Sequence, residues 1–373
     1  MNRQPKHVML NALYFAPGVS GGTETYLRGL APVLATEFPG LRLTVATTRS
    51  GAAVLEAAGW QDFAHLIAFA CEDGQRLRRQ FAEQLLLPRA ARSQRVDVVH
   101  SLASIAPLVL GTRSVVTLHD VTFLNERTFG RMTTWGMGAL VKRAARDADA
   151  LIAITAAARD EICATLGVAP ARFTVIHHGH TPPGPVDQAV VARVLDRYAL
   201  ADVRVVLCVA AKRPHKNQAL LIRAAELLDP DVVLVLAGHA EPYERELRSL
   251  ADELGMHERV RFVGYLPDDE LEAMWALASC AALPTLAEGF GLPVLEALTR
   301  GVPVAASDIP VLREVGGPLV HYFDPRDPGS CARAVQDALA DTQTSRLGPE
   351  HAAAFSWTAA ARATYATYER ALA

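Results

Sequence analysis

The chain has 373 residues, half of them hydrophobic, with a net charge of -3 and five scattered cysteines. At about 150 residues per domain the length points to two cores, and the charge gives no reason to expect nucleic acid as a main partner. Cys71, Cys163, Cys208, Cys280 and Cys331 show no C-x-x-C spacing and read as buried thiols of a reducing compartment. No apolar segment near the N-terminus has the length of a signal peptide or a membrane span, so a cytoplasmic protein is expected.

The first strand reads from His7 to Phe15. Leu27, Leu30, Leu34 and Phe38 then recur at helical spacing, which predicts a helix from Gly22 or Thr23 to Phe38. Gly21 and Gly22 fall at its N-terminus, where the missing side chains let backbone approach a ligand; a plain connection reads as well. The pattern is not the dinucleotide G-x-G-x-x-G, which weakens a dehydrogenase reading. Leu41 to Thr48 gives a second strand, followed by a variable segment and a helical region. Between Arg76 and Arg95 six arginines interleave with Leu77, Phe81, Leu85 and Leu86. That pattern suits an anionic membrane face, a phosphorylated acceptor, or a surface helix with its apolar side on the sheet.

Asp97 to Ser101 and Ser114 to Asp120 are short apolar runs ending in polar residues, as buried parallel strands do where they open on a cleft. His119 and Asp120 stand at such an end; a satisfied structural histidine is the alternative. Strands at Leu151 to Thr155 and Phe173 to His177 flank a helix from Ala156 to Leu166. His177, His178 and His180 lack spaced carboxylate or cysteine partners and fit a hinge better than a metal site. Pro182 to Pro185 has linker composition.

A second βα series follows, with strands at Val203–Val209, Asp231–Ala237, Arg259–Val263, Ser279–Leu283, Val302–Ala306 and Leu319–Phe323. Lys212, Arg213 and Lys216 crowd a strand end just before a helix starting near Asn217 or Gln218, so three cations can face a diphosphate. Gly238, and Gly264 with Tyr265, end two further strands in tight turns. After Leu283 a loop carries Glu288, Gly289, Phe290, Gly291 and Leu292, and Pro293 opens a helix that closes before Gly301. A strand, a glycine loop and a helix N-terminus make an anion site. Glu288 and Glu296 would repel a bare anion but can accept hydrogen bonds from hydroxyls attached to it. A nucleotide sugar fits: diphosphate at the helix, ribose on Glu296, sugar on Glu288. Solvated surface glutamates are the bland alternative.

E-G-F-G-L-P-x-x-E, from Glu288 to Glu296, is similar to the E-x7-E signature of retaining glycosyltransferases of family 4. That resemblance implies the α/β GT-B fold, two Rossmann-like domains whose parallel sheets face a central cleft. G-G-x-E-x-Y at Gly21 resembles the family's donor-facing glycine loop, and V-V-T-L-H-D-V resembles the segment of its cleft histidine beside the donor sugar. R-P-H-K-N resembles its basic pair, with Lys216 matching the lysine and Arg213 substituting for an arginine that follows a glycine where this chain has Ala210. A-G at Gly238 and F-x-G at Gly264 resemble segments near the base, and the segment around Trp357, Tyr365 and Tyr368 resembles the closing helix that packs on the N-terminal domain.

The implied domains are an acceptor-side domain over 1–182, a nucleotide-sugar domain over 183–350 and a crossing-back helix over 351–373, closing about the linker. The implied reaction moves a sugar from a nucleoside-diphosphate sugar to a hydroxyl of a glycan, lipid-linked or small-molecule acceptor, with retention and without a metal or other cofactor. Lys216 and Arg213 would meet the leaving diphosphate, and Glu288 and His119 the sugar. F-A-E-Q-x-L-L-P at Phe81 and H-D-V-T-F-L at His119 look like branches that build bacterial polysaccharides, which places GDP-mannose ahead of a UDP-sugar. A sugar-nucleotide hydrolase and a non-catalytic nucleotide-sugar-binding protein are the rival functions.

Overall fold

The computed structural model describes residues 4–19, 21–72, 74–121 and 131–373, with side chains in the last stretch from 136 onward. Residues 122–124 of the H-D-V-T-F-L segment lie outside them. The chain divides into two compact units, one of residues 1–179 with 355–373, the other of residues 180–354.

Among the described residues of the first unit, seven strands form one all-parallel sheet: β1 (His7–Asn11), β2 (Arg42–Thr48), β3 (Ala64–Phe69), β4 (Val98–Ser101), β5 (Arg113–Leu118), β6 (Ala150–Ala153) and β7 (Phe173–Val175). Their order is β3-β2-β1-β4-β5-β6-β7. The connections run one way from β1 and the other way from β4, so the sheet's switch point lies between these two strands, where doubly wound sheets open a crevice beyond the carboxyl ends. Asn11 pairs there with Ser101.

The sheet departs from the sequence reading twice. β1 stops at Asn11 because the chain turns at Leu13 and Tyr14, although the apolar run Ala12, Leu13, Phe15 stays buried. β3 gives no strong sequence signal because its middle residues are only partly covered, as suits an edge strand.

Helices Gly22–Glu37 and Trp357–Leu372 pack together on the sheet, which brings the chain's end into this unit. Glycine makes this contact possible. A Cβ on Gly29 would lie 2.1 Å from the Trp357 ring, and one on Gly179 would lie 2.3 Å from the Trp357 amide nitrogen. His178 stacks on both Tyr26 and Trp357, with centroids at 4.8 and 5.7 Å, and those two rings lie 6.2 Å from each other.

From Arg76 to Ser93 the chain is helical, but Ala82–Leu86 winds as a π-helix. This wide turn brings the buried residues Ala82 and Leu87, five positions apart, to one side, and Ala82, Glu83, Leu87, Pro88 and Ala91 face inward. Leu77, Phe81 and Leu85, which a surface helix would lay on the sheet, are instead exposed.

The second unit repeats the plan with β8 (Arg204–Val209), β9 (Val232–Ala237), β10 (Val260–Val263), β11 (Ala278–Leu283), β12 (Val304–Ser307) and β13 (Val320–Phe323), all parallel, in the order β10-β9-β8-β11-β12-β13. Its switch point lies between β8 and β11. All five cysteines are free and buried, and Cys208, Cys280 and Cys331 share this unit's core.

Candidate functional site

The loops that leave β8 and β11 meet at the second unit's switch point. Asn217 holds φ at 54°, and its side-chain amide donates to the carbonyls of Pro284 and Pro325, each at 2.9 Å. The Leu286 amide and the Thr285 hydroxyl both donate to the His215 carbonyl, at 2.8 and 3.1 Å. With the two loops joined in this way, Lys216 Nζ reaches Glu288 Oε1 at 2.7 Å. Their side chains keep 22% and 14% of their surface, so the pair is mostly shielded yet open to a ligand on one side.

Gly291 caps helix Leu292–Thr299 with φ 89°, and a Cβ there would lie 2.4 Å from Leu312 Cδ2. No side chain caps this helix end; Pro293 has no N–H, and the Val294 amide donates to the Gly291 carbonyl at 2.9 Å. Phe290 is buried beneath the turn. Glu296 follows about one turn inside the helix, half-buried. Burial pushes its carboxyl pKa up, which Arg300 opposes and Glu272 reinforces. Arg300 does not neutralise it directly, because Nε donates to Glu272 at 2.9 Å and Nη1 to the Glu296 backbone carbonyl at 3.0 Å. Among the described residues the Glu296 carboxylate takes no hydrogen bond.

Of the three cations read at this strand end, Lys212 does not join the others. Its side chain is wholly buried, and Nζ donates to the carbonyls of Gly238 at 2.5 Å and Val263 at 2.6 Å. Burial lowers its pKa to about 8. It ties the ends of β9 and β10 together and is unable to face a diphosphate. Arg213 is nearly half exposed and hydrogen-bonds Glu241 through Nε at 2.7 Å. Gly238, at φ 129°, leaves no room for a Cβ against the Ala210 carbonyl, and its amide donates to Gly264 at 3.0 Å. Tyr265 is exposed and stacks on His239, centroids 4.9 Å apart.

In the first unit, Gly21 caps helix Gly22–Glu37 at φ 55° and ψ -132°, with open space where a Cβ would stand. His119 is buried, with its ring edge-on to Tyr26 at 5.3 Å. Its Nε2 donates to the Leu102 carbonyl at 2.7 Å, and burial lowers its pKa. A carbonyl only accepts, so the neutral ring carries its proton on Nε2 and offers Nδ1 as an acceptor.

Two residues with no sequence signal also stand at this switch point. Asn11 Nδ2 donates to Glu83 Oε1 at 2.7 Å and to Ser101 Oγ at 3.2 Å. Burial raises the Glu83 pKa, and the Arg79 charge opposes that rise. A cavity of about 160 Å³ is lined by these two residues with Tyr14, Arg79, Ile105 and Met137. Glu83 sits inside a basic helical stretch, and only the π turn aims it inward. Among the described residues no group of three or more His, Cys, Asp or Glu side chains is gathered as metal ligands would be.

Two doubly wound units, with loop pairs at their switch points, define an α/β protein of the GT-B kind. The profile for Glycosyltransferase Family 4 matches residues 20–182, and that for Glycosyl transferases group 1 matches residues 198–355. The chain belongs to the group 1 glycosyltransferases, in the family 4 branch. It is 36% identical to the D-inositol 3-phosphate glycosyltransferase of Mycolicibacterium vanbaalenii over 61% of this chain, and it spans only 54% of that relative's length. The GDP-mannose-dependent alpha-(1-6)-phosphatidylinositol monomannoside mannosyltransferase of Mycolicibacterium smegmatis is 29% identical over 87% of each chain. The crystal structure of HepE from Anabaena with UDP-glucose superposes with a TM-score of 0.74 at 22% identity, covering 96% of this chain and 98% of that one.

Proposed function

We propose that this protein transfers a sugar, with retention, from a nucleoside-diphosphate sugar to an acceptor hydroxyl. The observation that carries the reading is the Lys216–Glu288 pair of 2.7 Å, set beside a helix N-terminus without a side-chain cap and a carboxylate at Glu296 that takes no hydrogen bond among the described residues. A cation and the positive end of a helix suit a diphosphate, and the two carboxylates suit the hydroxyls on either side of it. Lys216 would turn from Glu288 to the leaving phosphates, and Arg213 would join it by leaving Glu241, a move its exposure permits. Stabilising charge on the departing group is the largest help such a reaction can receive. Glu288, once released, would accept from a sugar hydroxyl, and Glu296 from the ribose.

The Tyr265–His239 stack offers a flat apolar face for a base, close to Gly238 and Gly264. In the first unit, His119 Nδ1 would accept from a sugar hydroxyl, and Gly21 and Gly22 would offer backbone amides. GDP-mannose is the donor favoured, since a relative 29% identical over 87% of both chains is named for it, whereas HepE with UDP-glucose is 22% identical. With Lys216, Arg213 and the helix end supplying positive charge, the reaction is read as independent of metal. Turnover of GDP-mannose and of UDP-sugars, with and without glycan or polyol-phosphate acceptors and with a chelator present, tests the reading. Donor cleavage unaffected by any acceptor favours the hydrolase, and tight donor binding without turnover favours a sensor.

A further inference from the structure

Arg300 is the C-cap of helix Leu292–Thr299 and stands four positions after Glu296. An acid followed by a base at that spacing is the favourable arrangement for an ion pair along a helix. The pair does not form between these side chains. Arg300 gives Nε and Nη2 to the two carboxylate oxygens of Glu272, Nε at 2.9 Å, and gives Nη1 to the Glu296 carbonyl at 3.0 Å. That last bond already holds the guanidinium beside residue 296, so reach is not what keeps Arg300 off the Glu296 carboxylate. Glu272 comes from helix Asp268–Leu277, whose buried Trp275 supplies a second restraint, its ring centre 5.7 Å from the guanidinium carbon. The Arg300 and Glu272 side chains keep only 13% and 16% of their surface, so water and salt screen the bond weakly.

We infer that Glu272 is a positioning residue for the donor: by holding Arg300, it keeps the Glu296 carboxylate open to the ribose hydroxyls. The inference rests on the ribose role given to Glu296 above. Arg300 and Glu272 are the two charged groups that act on Glu296, with opposite sign. Were Glu272 neutral, the guanidinium would turn to the Glu296 carboxylate, and the ribose would have to displace a charge-assisted bond before making its own. Glu272 thus serves the site through Arg300, by occupying a cation that the helix would otherwise hand to Glu296.

Calorimetric titration with GDP and UDP, each set beside its 2′,3′-dideoxy form in mildly alkaline buffer, reads the ribose contact as a ratio of affinities. Wild type should prefer the ribose form by at least about tenfold, the worth of hydrogen bonds to a charged group. Glu272→Gln keeps the shape and one acceptor but not the charge, and should cut that preference at least about threefold, more than an exposed helix pair would. Removing the competitor as well, in Glu272→Gln with Arg300→Gln, should restore it. Arg300→Gln alone should keep it, whereas a clamp that merely joined two helices would lose it equally in both single variants. Arg300→Lys, whose single ammonium lacks the fork that grips Glu272, should lose part of it. Melting temperatures show which variants fold, and Arg300→Lys, which keeps both charges, decides the matter should Glu272→Gln not fold. A wild type that binds ribose and dideoxy forms alike overturns the ribose reading and this inference with it. A wild-type preference that persists in folded Glu272→Gln, or that is lost there and not recovered when Arg300 is also removed, overturns the inference alone, as does one untouched by Arg300→Lys.

Discussion

Lys216 and Glu288 neutralise each other at 2.7 Å across two loops of one sheet. If a diphosphate is to claim Lys216, it must compete with Glu288. Lys216→Ala should therefore weaken nucleoside diphosphate binding by about 1.5–3 kcal/mol, the range for a hydrogen bond to a charged group. Glu288→Gln removes the competitor and should leave that affinity unchanged or raise it, while turnover collapses because the sugar contact is lost. Calorimetric titration with GDP and UDP, set beside initial rates, checks both. Weaker diphosphate binding in Glu288→Gln would place that carboxylate on the wrong part of the donor.

Glu296 makes a prediction in pH. Burial raises its pKa, so as pH falls it takes a proton earlier than an exposed glutamate would. The neutral acid is a poorer acceptor for two ribose hydroxyls. Glu296→Gln should weaken nucleoside diphosphate binding well above that pKa, and the gap between variant and wild type should narrow as the medium becomes acidic. Comparing the two proteins cancels titration of the phosphates themselves. A gap that stays constant with pH would remove the ionised carboxylate from the ribose contact.

The alternation of strands and helices was legible because buried parallel strands read as short apolar runs, and the turn after Leu283 because glycine, proline and paired glutamates leave few other readings. Side-chain direction was not legible. Lys212 and Lys216 are equivalent as letters, yet the loop turns Lys212 under Gly238 and Lys216 toward Glu288. Glu83 was hidden for a related reason, since a regular α-helix gives no ground for the wide turn that points it at Asn11. β3 was hidden because its partial exposure breaks the apolar run by which its neighbours are recognised.

The buried histidines of the first unit should make it sensitive to acid. Burial lowers the pKa of His119 and His178 and takes that of His100 down to about 3, where its ring is held by Tyr368 and Thr117 at 2.7 and 2.8 Å. In the unfolded chain each returns to about 6.5. Their contribution is therefore complete above 6.5, and it falls as pH drops from there toward the folded values, because the unfolded state binds protons that the folded state refuses. Well below 6.5 each such histidine removes about 1.4 kcal/mol of stability per pH unit. Melting followed by circular dichroism from pH 8 to 5 should show this loss, and His100→Gln should flatten it. Identical slopes in the two proteins would show that His100 gains its proton without unfolding.

Gly29 and Trp357 should be coupled strongly enough to reverse the sign of a substitution. Gly29 lies within helix Gly22–Glu37, where alanine alone would favour the helix by up to about 1 kcal/mol. The Trp357 ring occupies that space, since a Cβ at residue 29 would stand 2.1 Å from it. Gly29→Ala should thus destabilise the first unit by about 1–3 kcal/mol, the usual cost of overpacking. Trp357→Leu will itself cost stability through the cavity it leaves. In that background the added methyl has room, so Gly29→Ala should become neutral or stabilising. Denaturant unfolding of the four proteins of the cycle measures the coupling, expected to exceed about 1 kcal/mol for residues in direct contact. Additive effects would mean that the ring moves aside freely and that Gly29 does not set the approach of the final helix.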